Sequence, residues 1–586
     1  MKRVKRYKKR KSILSKLFIA LVVISAICIG GVIGINGVKY FGFFYMDKNK
    51  ISEPQDIVDM NITPEPKTNT ETNDKADNKT VTQTPRPDKP LIAIPLDNLP
   101  AQHKGFFSEV LVERKPVTEF KRSYDIDFPV SDEYSSLEGV TCFRGNNYRD
   151  SASYGFADVK LQKLEKVWFT KNGRIDIWTG VGWTGQPAIV KWSDEVKNIM
   201  NILPEKKKKS NLKEVIYATL DGKIYFLDLE DGKPTRPPID VGSSHKGSVA
   251  VDPRGYPLLY AGQGIPEVAG KKIPIGYRIF NLINQKQLYF LDGMDPDKFR
   301  YWGAFDSGAL IDAKTDTFIE CGENGIIYTG KLNTSFQPEK KTISISPDLV
   351  KYRYRSPISS KIGIENSPVV YKNYIYFADN SGLFQCVDLN TLKPVWVRDV
   401  IDDTDSTTAL EETDSGVYLY TANEVDHHQK AGASYIKKLN ALTGDLVWER
   451  KIPALYDSHT NGGALASPVL GKHDISDLVI YNIAKTDMKT NGSTLIALDR
   501  ETGKEKWKVN MKFYSWSSPV AIYTKEGKSY LIACDSGGYM NLFEGTTGKK
   551  LDSLPLEANI EASPAVYDDM IVVGTRGSKI WGIRIK

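Results

Sequence analysis

From residue 139 onward, short runs of valine, isoleucine, tyrosine and phenylalanine alternate with glycine, asparagine and aspartate. Runs of this kind, bounded by turn formers, read as β-strands. The pattern repeats. Each unit opens on a small residue, a proline and an apolar strand, as in Asn366-Ser367-Pro368-Val369-Val370-Tyr371, Ala466-Ser467-Pro468-Val469-Leu470, Ser517-Ser518-Pro519-Val520-Ala521 and Ala562-Ser563-Pro564-Ala565-Val566. A second strand ends in a polar glycine turn, as in Tyr374 to Gly382, Tyr530 to Gly537 and Met570 to Gly577. A third runs into a Thr-Gly turn, as in Leu495 to Gly503 and Ile436 to Gly444, and a fourth opens with Trp396, Trp448 or Trp507. The glycine-to-tryptophan offset is the same in Gly444/Trp448 and Gly503/Trp507.

Four antiparallel strands per unit are the make-up of a propeller blade. Units open near Gln186, Gly247, Gly308, Ser367, Thr407, Ser467, Ser518 and Ser563, which predicts an eight-bladed β-propeller over residues 139–586. The last unit has three strands before Lys586. Residues 164–170, with Trp168, resemble the tryptophan strand but precede the first unit. The expected ring therefore closes by pairing 164–170 with the C-terminal blade, which leaves no open sheet edge. Trp168, Trp396, Trp448 and Trp507, with Gly444 and Gly503, are expected to pack neighbouring blades together.

Upstream the texture changes twice. Residues 17–38 run uncharged for 22 positions behind a tail, residues 1–16, that holds nine Lys/Arg and no acid. At 1.5 Å per residue a helix of that length covers about 33 Å, enough for a bilayer core, and the basic flank stays cytoplasmic. The run has no small-x-small cleavage site, and Ile27 before Cys28 does not suit a lipoprotein signal, so an uncleaved transmembrane signal anchor is expected. Residues 47–90 are rich in Thr, Asn, Asp, Lys and Pro and almost devoid of large apolar side chains, the composition of a disordered linker with a span of about 35–40 Å. Residues 91–138 carry scattered apolar islands and read as an extended lead-in.

The net charge of +7 belongs to the tail: without its nine cations, 70 basic residues face 72 acidic ones. No nucleic-acid footprint remains. Five widely scattered cysteines, with no CxxC, exclude a thiolate zinc cluster and a disulfide scaffold. Lys206 to Lys209 reads as a solvated loop. Phosphate-loop, Gly-x-Ser-x-Gly and His-Glu-x-x-His motifs are missing.

The Leu-Asp-x-x-Thr-Gly-x-x-x-Trp pattern at 498–507, and Phe143-Arg144-Gly145-Asn146 followed by Arg149, resemble the pyrroloquinoline-quinone-like (PQQ-like) β-propeller repeat family over about residues 140–586. The resemblance implies two kinds of relative. Quinoprotein dehydrogenases hold the quinone over a tryptophan, with Ca²⁺ on acidic and amide ligands and, in many, a disulfide of adjacent cysteines; this chain has no adjacent cysteines. The outer-membrane assembly lipoprotein is a non-catalytic scaffold.

Residues just before each inner strand line one mouth of a propeller. Here they are Trp183, His245, Trp302, Asp306, Glu365, Asn366, Asp403, Asp405, His459, Asn461, Trp516 and Glu561. Aromatic faces beside hydrogen-bonding groups suit sugars or peptides, and clustered carboxylates suit Ca²⁺. The adjacent His427 and His428 read as a surface loop. No catalytic residue, metal or cofactor is assigned, Ca²⁺ and PQQ being open alternatives. The expected protein is a membrane-anchored, extracellular binding or scaffold module of the cell envelope, with an envelope protein or wall polymer as partner. The alternative is a quinone-dependent oxidoreductase or a polysaccharide-active enzyme.

Overall fold

The computed structural model describes residues 105–426, 431–456, 460–487 and 489–586. The tail 1–16, the apolar run 17–38 with Cys28, and the linker 47–90 lie outside the described residues, as do His427, His428 and His459. No helix among the described residues is long and apolar enough to cross a membrane.

Residues 138–586 form eight antiparallel sheets arranged as propeller blades. Their inner strands are Ala188–Lys191, Ala250–Val251, Leu310–Asp312, Val369–Tyr371, Ala409–Thr413, Val469–Leu470, Val520–Tyr523 and Ala565–Tyr567, blades 1 to 8 in that order. Each follows one of the predicted unit openings. Leu164–Lys171 pairs antiparallel with Lys579–Ile585 and supplies the outer strand of blade 8.

Three sheets exceed four strands, and in each the addition covers an edge. Glu138–Val140 lies inside blade 1, and Ser153–Tyr154 runs parallel to the inner strand of blade 8. In blade 3 the lead-in strands Phe107–Val112 and Lys115–Val117 extend the sheet beyond Asp348–Arg355. Strands sandwiched between blades are buried along their length: Ser493–Asp499, the third strand of blade 6, is buried over its first six positions. The outer Glu505–Met511 faces solvent on one side and alternates, with Trp507 and Met511 buried. Within Lys206–Lys209 only Lys206 departs from a solvated loop: Pro204–Lys207 is a helical turn, and Lys206 is buried with its Nζ 2.7 Å from Asp228, while Lys208 is exposed. Cys142, Cys321, Cys386 and Cys534 are free and buried.

The repeat motifs acquire a cause. The indole N–H of Trp168, Trp396, Trp448 and Trp507 donates to the carbonyls of Leu229, Ala441, Arg500 and Gly545 in the next blade, at 2.8–3.1 Å. Three residues on from each carbonyl stand Gly232, Gly444, Gly503 and Gly548, at φ between +65° and +73°. A Cβ there would lie 2.4–2.7 Å from the indole ring, so the Thr-Gly turn needs glycine for its backbone and for the tryptophan packed on it. Where tryptophan is missing, arginine reaches the equivalent carbonyl. Arg236 Nη1 bonds Leu282 O at 2.9 Å while paired to buried Glu214, and Arg122 Nε bonds Leu389 O at 2.7 Å.

The small residue before proline makes a second circuit around the axis. Backbone N–H groups of Gly308, Ser367, Thr407, Ser467 and Ser518 donate to the hydroxyls of Ser367, Thr407, Ser467, Ser518 and Ser563, each 2.9–3.1 Å away on the next blade. Below this ring the segment 141–152 crosses the inner strands, and its Thr141, Asn147, Tyr148 and Ala152 carbonyls accept from Val251, Val370, Leu410 and Val566. Arg144 donates to Pro519 O at 2.7 Å and Pro468 O at 2.6 Å; Arg149 donates to Pro368 O at 2.9 Å and Gly308 O at 2.7 Å. Both arginines are buried. The Phe-Arg-Gly-Asn lead-in is thus an axial plug.

Candidate functional site

Along blade 4 the chain passes from Glu365-Asn366, through the ring hydroxyl of Ser367, to the plug contacts of Pro368 and Val370. The residues preceding each ring hydroxyl therefore stand above a closed floor. Antiparallel pairing brings a second set to the same level, because the second strand of each blade returns to the mouth from which the first departed. Its turns contribute Glu323, Asn380, Glu424 and Asp426, none of which stands in the predicted ring.

Two groups of carboxylates result. Asp306, Glu323 and Glu365 present oxygens within 4.8 Å of one another, as do Asp403, Glu424 and Asp426. Asn380 links the groups, its amide donating to Glu365 at 2.8 Å and to Asp403 at 2.9 Å while its carbonyl accepts from Arg300 at 3.0 Å. Lys246 stands against the first group, with Nζ 2.5 Å from Asp306. Burial alone would lower the Lys246 pKa, but Asp306, Glu323 and Glu365 outweigh it and the ammonium is held well above its usual range. Burial raises Asp306, with Glu365 adding to the rise and Lys246 opposing it. Glu323 is pushed up by burial and then by Glu365 and Asp306. Asp405 is raised by burial, then by Glu365 and Asp403, and so feels charge from both groups.

Of the predicted mouth residues, Asp306, Glu365, Asp403 and Asp405 come together here. Asn461 joins them through its amide, 3.2 Å from Glu424, and Trp516 donates its indole N–H to the Asn461 carbonyl at 3.3 Å. Trp183, ahead of blade 1, reaches across to the Leu465 carbonyl ahead of blade 6. Trp302 is half-buried on the loop that carries Arg300. Glu561 is engaged elsewhere, by Asn559 and Arg576. Two others serve the scaffold. Asn366 spends its amide on the Ala378 and Thr404 carbonyls, tying blade 4 to blade 5. His245 is buried with Nδ1 2.6 Å from Gly262 O, and burial brings its imidazole down to about 4. His459 lies outside the described residues.

Pyrroloquinoline quinone carries three carboxylates. The described mouth offers it carboxylates, while Lys246 is paired with Asp306 and Arg300 with Asn380. These residues do not fit a trianion; they suit positive charge.

The family model described as outer membrane protein assembly factor BamB matches residues 491–586. A curated relative of that description from Kangiella koreensis is 23% identical over 168 residues, covering 23% of this chain and 42% of its own length. Among solved structures, the quinohemoprotein alcohol dehydrogenase ADHIIG of Pseudomonas putida HK5 superposes with a TM-score of 0.51 at 12% identity, over 79% of this chain and 83% of that one. BamB of Moraxella catarrhalis gives 0.47 at 15% identity, over 72% and 99%. At such identities the structural likeness is one of fold. The chain is an eight-bladed β-propeller whose C-terminal repeats, residues 491–586, are similar to those of that assembly-factor family.

Proposed function

We propose that the chain is a non-catalytic scaffold of the cell envelope, anchored through residues 17–38, whose propeller binds a basic segment of a partner protein at its acidic mouth. The observation that carries the reading is the carboxylate-lined mouth above a closed floor. Such a mouth attracts cationic side chains over a Debye length of about 8 Å at physiological salt. The half-buried Trp302 and Trp516 add aromatic faces on which lysine or arginine stacks. The match to an outer membrane assembly factor supports an envelope setting, and the basic tail with its apolar run supports the anchor.

The test places a photo-cross-linking residue in the full-length chain in its native membrane, either at Tyr301, 78% exposed beside Trp302, or at Lys525, in the turn at the far end of a first strand. A partner captured from position 301, lost at high salt and in the Trp302→Ala and Trp516→Ala variants, supports the reading. Equal capture from both positions, or capture indifferent to salt, overturns it.

A further inference from the structure

We infer that a cleft on the face opposite the mouth binds an uncharged oligosaccharide. The first strand of each blade runs from the mouth to this far face, and in blade 4 only Lys372 and Asn373 turn the chain there into the second strand. Two connections on this face are longer than the sheets require. Residues 192–213, between the first two strands of blade 1, carry the helix Asp194–Ile199. Residues 332–347, between the third and fourth strands of blade 3, carry a hairpin that pairs Ser335–Gln337 with Thr342–Ser344. The helix packs against Pro338–Lys340 in that hairpin, so the blade 1 connection reaches past blade 2. Between the two lies a cleft of about 570 Å³, the size of a small-ligand site.

Tyr256, in the far-face turn of blade 2, and Phe336, on the hairpin, are half-buried in its wall with ring centroids 5.0 Å apart. One ion network sets both rings. Arg254 lies over Tyr256, 4.5 Å from the ring centroid, and is held by Asp252 at 2.6 Å and Asp316 at 2.7 Å. Asp316 also accepts from the N–H and the hydroxyl of Thr334, both at 2.7 Å, at the foot of the hairpin that carries Phe336. The aromatic wall is thus ordered before a ligand arrives, which lowers the entropy lost on binding. Charges around the cleft are largely paired with one another: Lys191 with Glu138 at 3.1 Å, Lys197 with Asp194 at 2.5 Å, and Arg254 as above. Glu195 adds an exposed carboxylate. Among the described residues no surplus of positive charge is left for a phosphate or other polyanion. Ser136, Ser193 and Ser210 are exposed at the cleft, and with the paired carboxylates they offer donors and acceptors to hydroxyl groups. Aromatic faces pack on the C–H faces of a pyranose ring, while the polar rim meets its hydroxyls.

The cleft stands apart from the acidic mouth, and titration of the isolated chain needs no partner protein, so this inference succeeds or fails independently of the function proposed above. The full-length chain in mild detergent is titrated calorimetrically with cellotetraose, chitotetraose and maltotetraose. At least one is expected to bind with a dissociation constant below about 1 mM, unchanged up to about 0.5 M salt because no charge is neutralised. Phe336→Ala and Tyr256→Leu should each weaken that binding by about tenfold or more. Ser210→Trp, at an exposed position whose new ring fills the cleft, should abolish it, and this variant keeps the test decisive if either ring variant fails to fold. No binding of any of these sugars at about 10 mM, binding indifferent to Ser210→Trp, binding lost at high salt, or a lysine-rich peptide bound at the cleft in their place overturns the assignment.

Discussion

Replacing Arg144 with methionine removes the guanidinium that ties the axial plug to blades 6 and 7 while keeping most of the aliphatic volume. Arg144 is 1% exposed, and burial lowers its pKa only to about 10, so it is charged at neutral pH. Its two bonds, to Pro468 O at 2.6 Å and Pro519 O at 2.7 Å, are charge-assisted. Methionine leaves both carbonyls without this donor. A buried acceptor stripped of its partner costs about 1–3 kcal/mol, so the pair predicts a loss of about 2–6 kcal/mol. Lysine, a point donor without the planar fork, satisfies one carbonyl better than two and should lose about half as much. Urea unfolding of the full-length chain, followed by tryptophan fluorescence, should rank wild type above Arg144→Lys above Arg144→Met. A methionine variant within about 1 kcal/mol of wild type, or a lysine variant no better than methionine, would refute the plug as a structural hub.

Gly503→Ala should destabilise by about 1–3 kcal/mol from its left-handed backbone alone, and by more once the new Cβ meets Trp448, 2.7 Å away; the same urea titration reads it, and a neutral result would contradict the packing seam. The pH dependence has a defined sign. Folding raises the pKa values of Glu323, Asp405 and Glu424, so the folded state holds their protons more tightly than the unfolded state. Stability from this source is present below the ordinary carboxylate range and is lost as pH rises through the raised values. The unfolding midpoint should therefore fall as pH is raised from about 4, and Glu424→Gln should flatten that slope; a midpoint that climbs over this range would refute it.

Residue pattern alone was enough for the architecture because most blades write the same local signal. The small-residue strand starts and glycine turns recur unit after unit, with the same glycine-to-tryptophan offset in Gly444/Trp448 and Gly503/Trp507, so eight unit openings could be counted, and Leu164–Lys171 was recognisable as the outer strand that blade 8 lacked. Half the mouth was legible for the same reason: Asp306, Glu365, Asp403 and Asp405 stand directly before ring positions that the repeat marks. The other half was not. Glu323, Asn380, Glu424 and Asp426 belong to turns one strand further on, and only the antiparallel return of each hairpin carries them to the same level. That rule could have been applied to the polar glycine turns already visible in the sequence.

What tertiary structure alone decided was partnership. Nothing in the local sequence distinguishes Asn366, which is saturated by two carbonyls of its own and the next blade, from Glu424, whose Oε2 has no hydrogen bond. Nor does it show that Arg236 and Arg122 replace tryptophan at two seams, or that Arg144 and Arg149 meet blade-opening carbonyls 159 to 375 residues away. A strand is specified by neighbours in the chain. The charge a buried carboxylate can keep is specified by neighbours in space, and those exist only after the ring has closed.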